Sequence, residues 1–135
     1  MMHYQMFIGG AWVEAAAEAR TNVIDPSTEE VIASVPTAGK EDVNRAVAAA
    51  QRAFADWSQR SPGERAAFLW KMADALEGRA EEISRVESRN AGKPIKLAQD
   101  GDVPFALDNL RYFAGAARRL EGQGAAEYST AHTSI

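Results

Sequence analysis

The stretch EDVNRAVAAAQRAFADW, Glu41 to Trp57, decides how the rest of the chain is read. Val43, Val47, Ala50, Phe54 and Trp57 recur at intervals of four and three, which gathers them on one stripe of an α-helix. Glu41 and Asp42 fall in its first turn, where the helix dipole favours carboxylates. Towards the amino terminus the signals are those of strands. Gln5–Ile8 and Ala11–Val13 flank Gly9-Gly10, two residues that both tolerate positive φ, so this opening reads as a β-hairpin. Ala15–Arg20 is a small-residue connector. Val23-Ile24 and Val31–Val35 then enclose Asp25-Pro26-Ser27-Thr28, whose proline presets φ and whose Asp and Ser bond nearby backbone. That gives a second hairpin, ended by Pro36.

Towards the carboxyl terminus the helical period persists. Ser61-Pro62-Gly63-Glu64 is a capping-box start with proline at the first helical position. A second helix is predicted through Leu69, Ala73, Leu76, Ala80 and Ile83 to Asn90–Gly92, where Gly92 suits the left-handed cap. Pro94 starts a third, interrupted near Asp100-Gly101-Asp102, restarted by Pro104 and striped through Leu107, Leu110, Ala114, Ala117 and Leu120. Gly122 and Gly124 stop it, and Ala126–Ile135 reads as a strand begun and cut. The expected class is α/β: two short β-hairpins, three amphipathic helices and the start of a strand, with no repeat and no interior linker.

At 135 residues the chain is long enough for one domain and too short for a cofactor domain plus a catalytic domain. A 46% hydrophobic, 25% charged composition is that of a soluble globular protein. No run approaches the ~20 apolar residues of a membrane span, and the first residues lack the basic start and apolar run of a secretory signal. A cytoplasmic location is the expectation. A net charge of −4 offers no electrostatic footprint for nucleic acid. The chain has no cysteine, which excludes disulfides, thiolate metal sites and a cysteine nucleophile within it.

Isolated candidates for chemistry reduce to ordinary structure. Gly9-Gly10 lacks the spacing of a dinucleotide-binding loop and no helix follows it. His3 and His132 have no second ligand at metal-binding spacing. Ser129, Thr130, Thr133 and Ser134 have no adjacent base and read as strand-surface hydroxyls. Lys93, Arg118 and Arg119 read as solvated charges at helix ends.

Four phrases in order, FIGGAWV (7–13), VIDPSTEEVIASVP (23–36), EDVNRAVAAAQRAF (41–54) and ESRNAGKP (87–94), resemble the amino-terminal part of an aldehyde dehydrogenase. RYFAGAARRLEG (111–122) and EYSTAHTS (127–134) are similar to the γ-aminobutyraldehyde branch, so the resemblance covers nearly the whole chain. It implies that residues 1–135 are part of a cofactor-binding domain, truncated before the dinucleotide-binding core. The whole enzyme would then be an NAD-dependent homo-oligomer oxidising 4-aminobutanal or a related amino-aldehyde. In such an enzyme a cysteine attacks the aldehyde, hydride passes to NAD, and a glutamate activates the water that releases the acid. The cysteine and glutamate would lie beyond Ile135, so neither a catalytic nor a cofactor-contacting residue is assigned here.

The resemblance implies two sites. Potassium or sodium would be held by backbone oxygens of Val23 and Ile24 and the side-chain oxygen of Asn90, which stands where many relatives have Asp. The alternative is that Asn90 caps its helix beside Gly92. Asp102, and secondarily Asp100, would lie at the substrate entrance and attract a distal ammonium. The alternative is that both carboxylates break and cap the helix ahead of Pro104. A different class of function is a non-catalytic helical interaction module or truncated gene product, whose exposed apolar faces would invite a partner.

Overall fold

The computed structural model of the protein describes residues 2–119, 126–129 and 132–134. The chain divides into two compact units, the first holding Met1–Ser58 and Arg89–Gly92, the second Gln59–Ser88 and Lys93–Ile135.

In the first unit the opening hairpin forms as the glycine pair dictates. Strands β2 (Met6–Ile8) and β3 (Ala11–Val13) pair antiparallel around Gly9 and Gly10, at φ 63° and 86°. The cross-strand pair Phe7 and Trp12 packs with ring centroids 4.9 Å apart. The second hairpin joins β4 (Arg20–Ile24) to β5 (Val31–Pro36), and β1 (Met2–His3) adds to β5 in parallel. Its turn is built by Asp25, whose carboxylate accepts the Ser27 N–H at 2.9 Å and the Ser27 hydroxyl at 2.5 Å. This is the local side-chain bonding expected of an Asp-Pro-Ser turn.

Helix α1 (Lys40–Trp57) starts where the period changes. Asp42 does more than complement the dipole. It is 1% exposed and accepts the Gly39 N–H at 3.0 Å and the Ala16 N–H at 3.1 Å, tying the helix start to the connector before β4. The β2–β3 turn lies against α1 at Ala49, beside Arg45, Ala48 and Arg52. The apolar stripe is on the other side of the helix, with Val43, Val47 and Phe54 53%, 60% and 64% exposed.

In the second unit, α2 (Pro62–Glu77) opens with the predicted capping box: Ser61 Oγ accepts the Glu64 N–H, and the Glu64 carboxylate accepts the Ser61 N–H at 2.8 Å. The predicted second helix is in fact two. Helix α2 ends at Gly78, whose N–H closes on the Asp74 carbonyl at 3.1 Å, and α3 (Ala80–Ala91) begins after it. Glycine is a weak helix residue because fixing its backbone costs the most entropy. The last residues of α3, from Arg89, belong with the first unit.

The interruption expected at Asp100-Gly101-Asp102 is a widened turn instead of a break. Between α4 (Ile95–Leu97) and α5 (Val103–Ala116), residues Ala98–Asp102 form a π-helical turn, with the Val103 N–H donating to the Ala98 carbonyl. Asp102 is itself helical, at φ −62° and ψ −50°, and caps nothing with its side chain. Helix α5 packs on α2, burying Val103, Leu107 and Ala114 with Ala66 and Ala73. Alanines on α2 let the two backbones approach closely. Arg111 ties the pair at the surface, donating to Glu77 at 2.7 Å and Asp74 at 3.1 Å.

The tail expected as one cut strand contains an antiparallel pair, β6 (Ala126–Ser129) and β7 (His132–Ser134). Leu120, Gly122, Gly124, Thr130 and Ile135, read above as stripe, stop, hydroxyl and strand end, lie outside the described residues.

Candidate functional site

Val23, Ile24 and Asn90 all fall in the first unit. Strand β4 changes register against β5 between Val23 and Ile24: Val23 faces Ala33, while Ile24 faces Val31. The extra residue is Ile32 of β5, which stands between these two partners, so the bulge lies directly across from Val23 and Ile24. The end of α3 is seated against the turn that follows this bulge. Arg89 lies 3.8 Å from the Asp25 carboxylate, and Gly92, at φ 67°, comes so near Pro26 that an added Cβ would stand 2.6 Å from the ring's Cγ. The segments carrying the three residues are therefore held together by an ion pair and a close backbone approach. Asn90 is exposed on the last turn of α3.

Asp25 is buried, and its hydrogen bond from the Ser27 hydroxyl, helped by the Ser27 N–H, holds its carboxyl below the ordinary value of 3.8. A lowered carboxyl contributes stability that is fully present above the unfolded value and disappears as pH falls through the folded one. Wild-type protein should lose more stability between pH 5.5 and pH 3 than Asp25→Asn does, read as the shift in urea midpoint. Equal losses would show that Asp25 is not a source of the acid sensitivity.

In the second unit Asp102 meets a partner that the sequence did not announce. Lys93 Nζ lies 2.6 Å from the Asp102 carboxylate and 2.8 Å from that of Glu87. The Lys93 carbonyl accepts the Ser88 hydroxyl at 2.7 Å. Lys93 is thus not the solvated helix-end charge its position suggests. The Asp102 hydrogen bond, and then that to Glu87, raise its pKa and hold it as the ammonium. The cluster carries one positive and two negative groups, and it shows two carboxylates converging on a primary ammonium. Asp100 faces the other way, pairing with Lys96 one turn earlier on the exposed side. Neither carboxylate acts as the helix cap that was the alternative reading, because the chain stays helical through both.

Arg118, read as a solvated end charge, stretches back over the first turn of α2: a Cβ on Gly63 would stand 2.9 Å from its guanidinium. Among the described residues no three His, Cys, Asp or Glu side chains group as metal ligands, and no helix is long and apolar enough to cross a membrane.

Comparison with known proteins identifies the backbone and the sequence that carry these residues. The family model described as Aldehyde dehydrogenase family matches residues 12–135. The 2-aminomuconic semialdehyde dehydrogenase of Bos taurus is 42% identical over 116 residues, 86% of this chain and 23% of that protein. The crystal structure of an NAD-dependent aldehyde dehydrogenase from Sinorhizobium meliloti superimposes with a TM-score of 0.85 at 40% identity, covering 90% of this chain and 24% of that one. PnpE from Pseudomonas sp. WBC-3, solved in complex with nicotinamide adenine dinucleotide, gives a TM-score of 0.87 at 38% identity over 93% of this chain and 26% of its own. The chain spans about a quarter of the length of the curated relatives it matches. With the family model matched from residue 12 to residue 135, the chain belongs to the aldehyde dehydrogenase family.

Proposed function

We propose that residues 1–135 are the amino-terminal segment of the cofactor domain of an NAD-dependent aldehyde dehydrogenase, a cytoplasmic homo-oligomer that oxidises 4-aminobutanal or a related amino-aldehyde to its carboxylate. The observation that carries the reaction class is the match of this backbone to an NAD-bound relative over 93% of its length. Two observations support the amino-aldehyde. A relative 42% identical is named for an amino-substituted semialdehyde. The Glu87 and Asp102 carboxylates already hold one primary ammonium, that of Lys93. With no cysteine in the chain, the nucleophile comes from outside it, and these residues supply a scaffold flank and part of the substrate entrance.

Potassium or sodium fits the donor set of the first unit. Val23 and Ile24 carbonyls beside the bulge and the Asn90 amide oxygen are hard neutral donors, suited to a weakly held monovalent cation. Such an ion would brace the β4 end against α3 and supply no chemistry of its own.

A chimaera in which residues 1–135 replace the matching segment of the Sinorhizobium meliloti enzyme tests the reading. It should reduce NAD with aminobutanal, while the 135-residue chain alone should show no turnover above buffer. A folded but inactive chimaera, or activity in the isolated chain, would sink the proposal. In the same chimaera Asp102→Asn should lower kcat/KM for aminobutanal about two- to five-fold and leave butanal unchanged, the size expected for a half-exposed carboxylate. The difference should shrink as salt is raised. Equal losses on both substrates would leave Asp102 a structural partner of Lys93 and nothing more.

A further inference from the structure

Lys93 is rooted more firmly than a surface lysine. Its carbonyl accepts the Ser88 hydroxyl at 2.7 Å, Gly92 before it is held at φ 67°, and Pro94 after it has its own φ set by the ring. Its backbone is thus placed by its neighbours, and what remains free is the four-carbon stem. That stem carries Nζ to 2.6 Å from Asp102, at the end of the π-helical turn, and to 2.8 Å from Glu87 on α3. We propose that Lys93 is a specificity-determining residue, a tethered ammonium that occupies the Glu87 and Asp102 carboxylates and competes for them with the distal ammonium of the substrate. The inference rests on the entrance reading of Asp102 given above, and it adds Glu87 and Lys93 to that site.

Chemical identity supports the competition. The outer methylenes and ammonium of a lysine side chain are the same group as the distal end of 4-aminobutanal, so carboxylates that accept one accept the other. An ammonium is a point charge on a flexible stem and can leave, whereas a guanidinium would fork onto a carboxylate in a fixed plane. The group is also weakly held. Side chains of Lys93, Glu87 and Asp102 keep 27%, 40% and 42% of their exposure, and ion pairs of that kind contribute little. With Lys93 in place the three groups sum to one negative charge, and with its ammonium withdrawn the full pull of two carboxylates acts on a passing cation. A role as a strut for the π-helical turn fits less well. Ala98 and Val103, which close that turn through their backbone hydrogen bond, are both buried, so the turn is seated without the lysine.

Lys93→Met keeps the stem and removes the charge. In the chimaera it should raise the aminobutanal-to-butanal ratio of kcat/KM about two- to five-fold, entering through KM for the amino-aldehyde. The selective loss caused by Asp102→Asn should then be larger in the Lys93→Met background than in the parent, and Glu87→Gln should show a selective loss of its own. n-Butylammonium, which has the substrate's distal end and no aldehyde, should inhibit butanal oxidation at a concentration about two- to five-fold lower in Lys93→Met, and the difference should shrink with salt. Equal losses on both substrates, or an unchanged inhibition constant, would make Lys93 a strut and overturn the proposal. If Asp102→Asn is selective while Lys93→Met is not, the competition fails alone. If neither is selective, the entrance reading fails and the competition falls with it. Lys93→Gln repeats the comparison should the methionine variant not fold, and unfolding of both would again mark a strut.

Discussion

Gly92→Ala should be the most damaging single substitution in the first unit, lowering unfolding free energy by about 2–5 kcal/mol. Two costs combine. A residue with a Cβ held at φ 67° loses roughly 1–2 kcal/mol. Forcing that Cβ to within 2.6 Å of Pro26 Cγ is an overpacking cost of about 1–3 kcal/mol. The two parts can be separated. Pro26→Ala removes the ring carbon in the way and leaves Cβ at an ordinary 3.5 Å from the glycine's would-be Cβ. In the Pro26→Ala background the same glycine replacement should cost only the backbone part, about 1–2 kcal/mol. Urea unfolding of the four proteins of this cycle measures both. Full additivity would mean that the helix end and the turn move apart freely, and that the close approach holding the Asn90 segment to β4 is not a constraint.

Asp42→Ala should be nearly as harmful, because it strips partners from N–H groups at two places in the chain. The carboxylate accepts from Gly39 at the helix start and from Ala16 in the connector, and Arg45 lies 3.3 Å away. Removing a buried acceptor leaves donors unsatisfied, which costs more than the net value of the bonds. A fall of roughly 10 °C in the thermal midpoint is expected. Asp42→Asn keeps one acceptor oxygen and should fall about half as far. Glu41→Ala is the matched control: Glu41 sits in the same turn and is exposed. If the Asp42 and Glu41 replacements cost the same, Asp42 acts only through the helix dipole.

That contrast marks what could be read in advance. The Gly9-Gly10 turn, the Ser61–Glu64 capping box and the Gly92 stop were all legible because each is closed by residues within a turn of one another. Asp42 was legible as a first-turn acid and illegible as a clamp, since Ala16 lies 26 residues away. Lys93 gave no signal because neither Glu87 nor Asp102 is at a helical spacing from it. Gly78 was missed for a different reason: the apolar stripe from Leu69 to Ile83 keeps its phase across the break, so periodicity alone joins α2 to α3. The α1 stripe was read correctly as a stripe, and its outward direction is a property of what else is present to cover it. Of the candidate site, the family resemblance implied Val23, Ile24, Asn90, Asp100 and Asp102. What it withheld was the bulge beside the first two and the lysine beside the last.

The π-helical turn at Ala98–Asp102 decides how the chain tolerates a change of length at this point. A wide turn accommodates one more residue than an α-turn within the same stretch of axis, so a single insertion there is absorbed where it occurs. The faces that α5 presents to α2, through Leu107, Ala114 and Arg111, keep their rotational phase whether or not the extra residue is present. Loss of one residue from this turn should therefore return it to an α-turn without rotating α5 against α2. What such a loss changes is the side chain that stands beside Lys93, while the α2–α5 pairing stays in place.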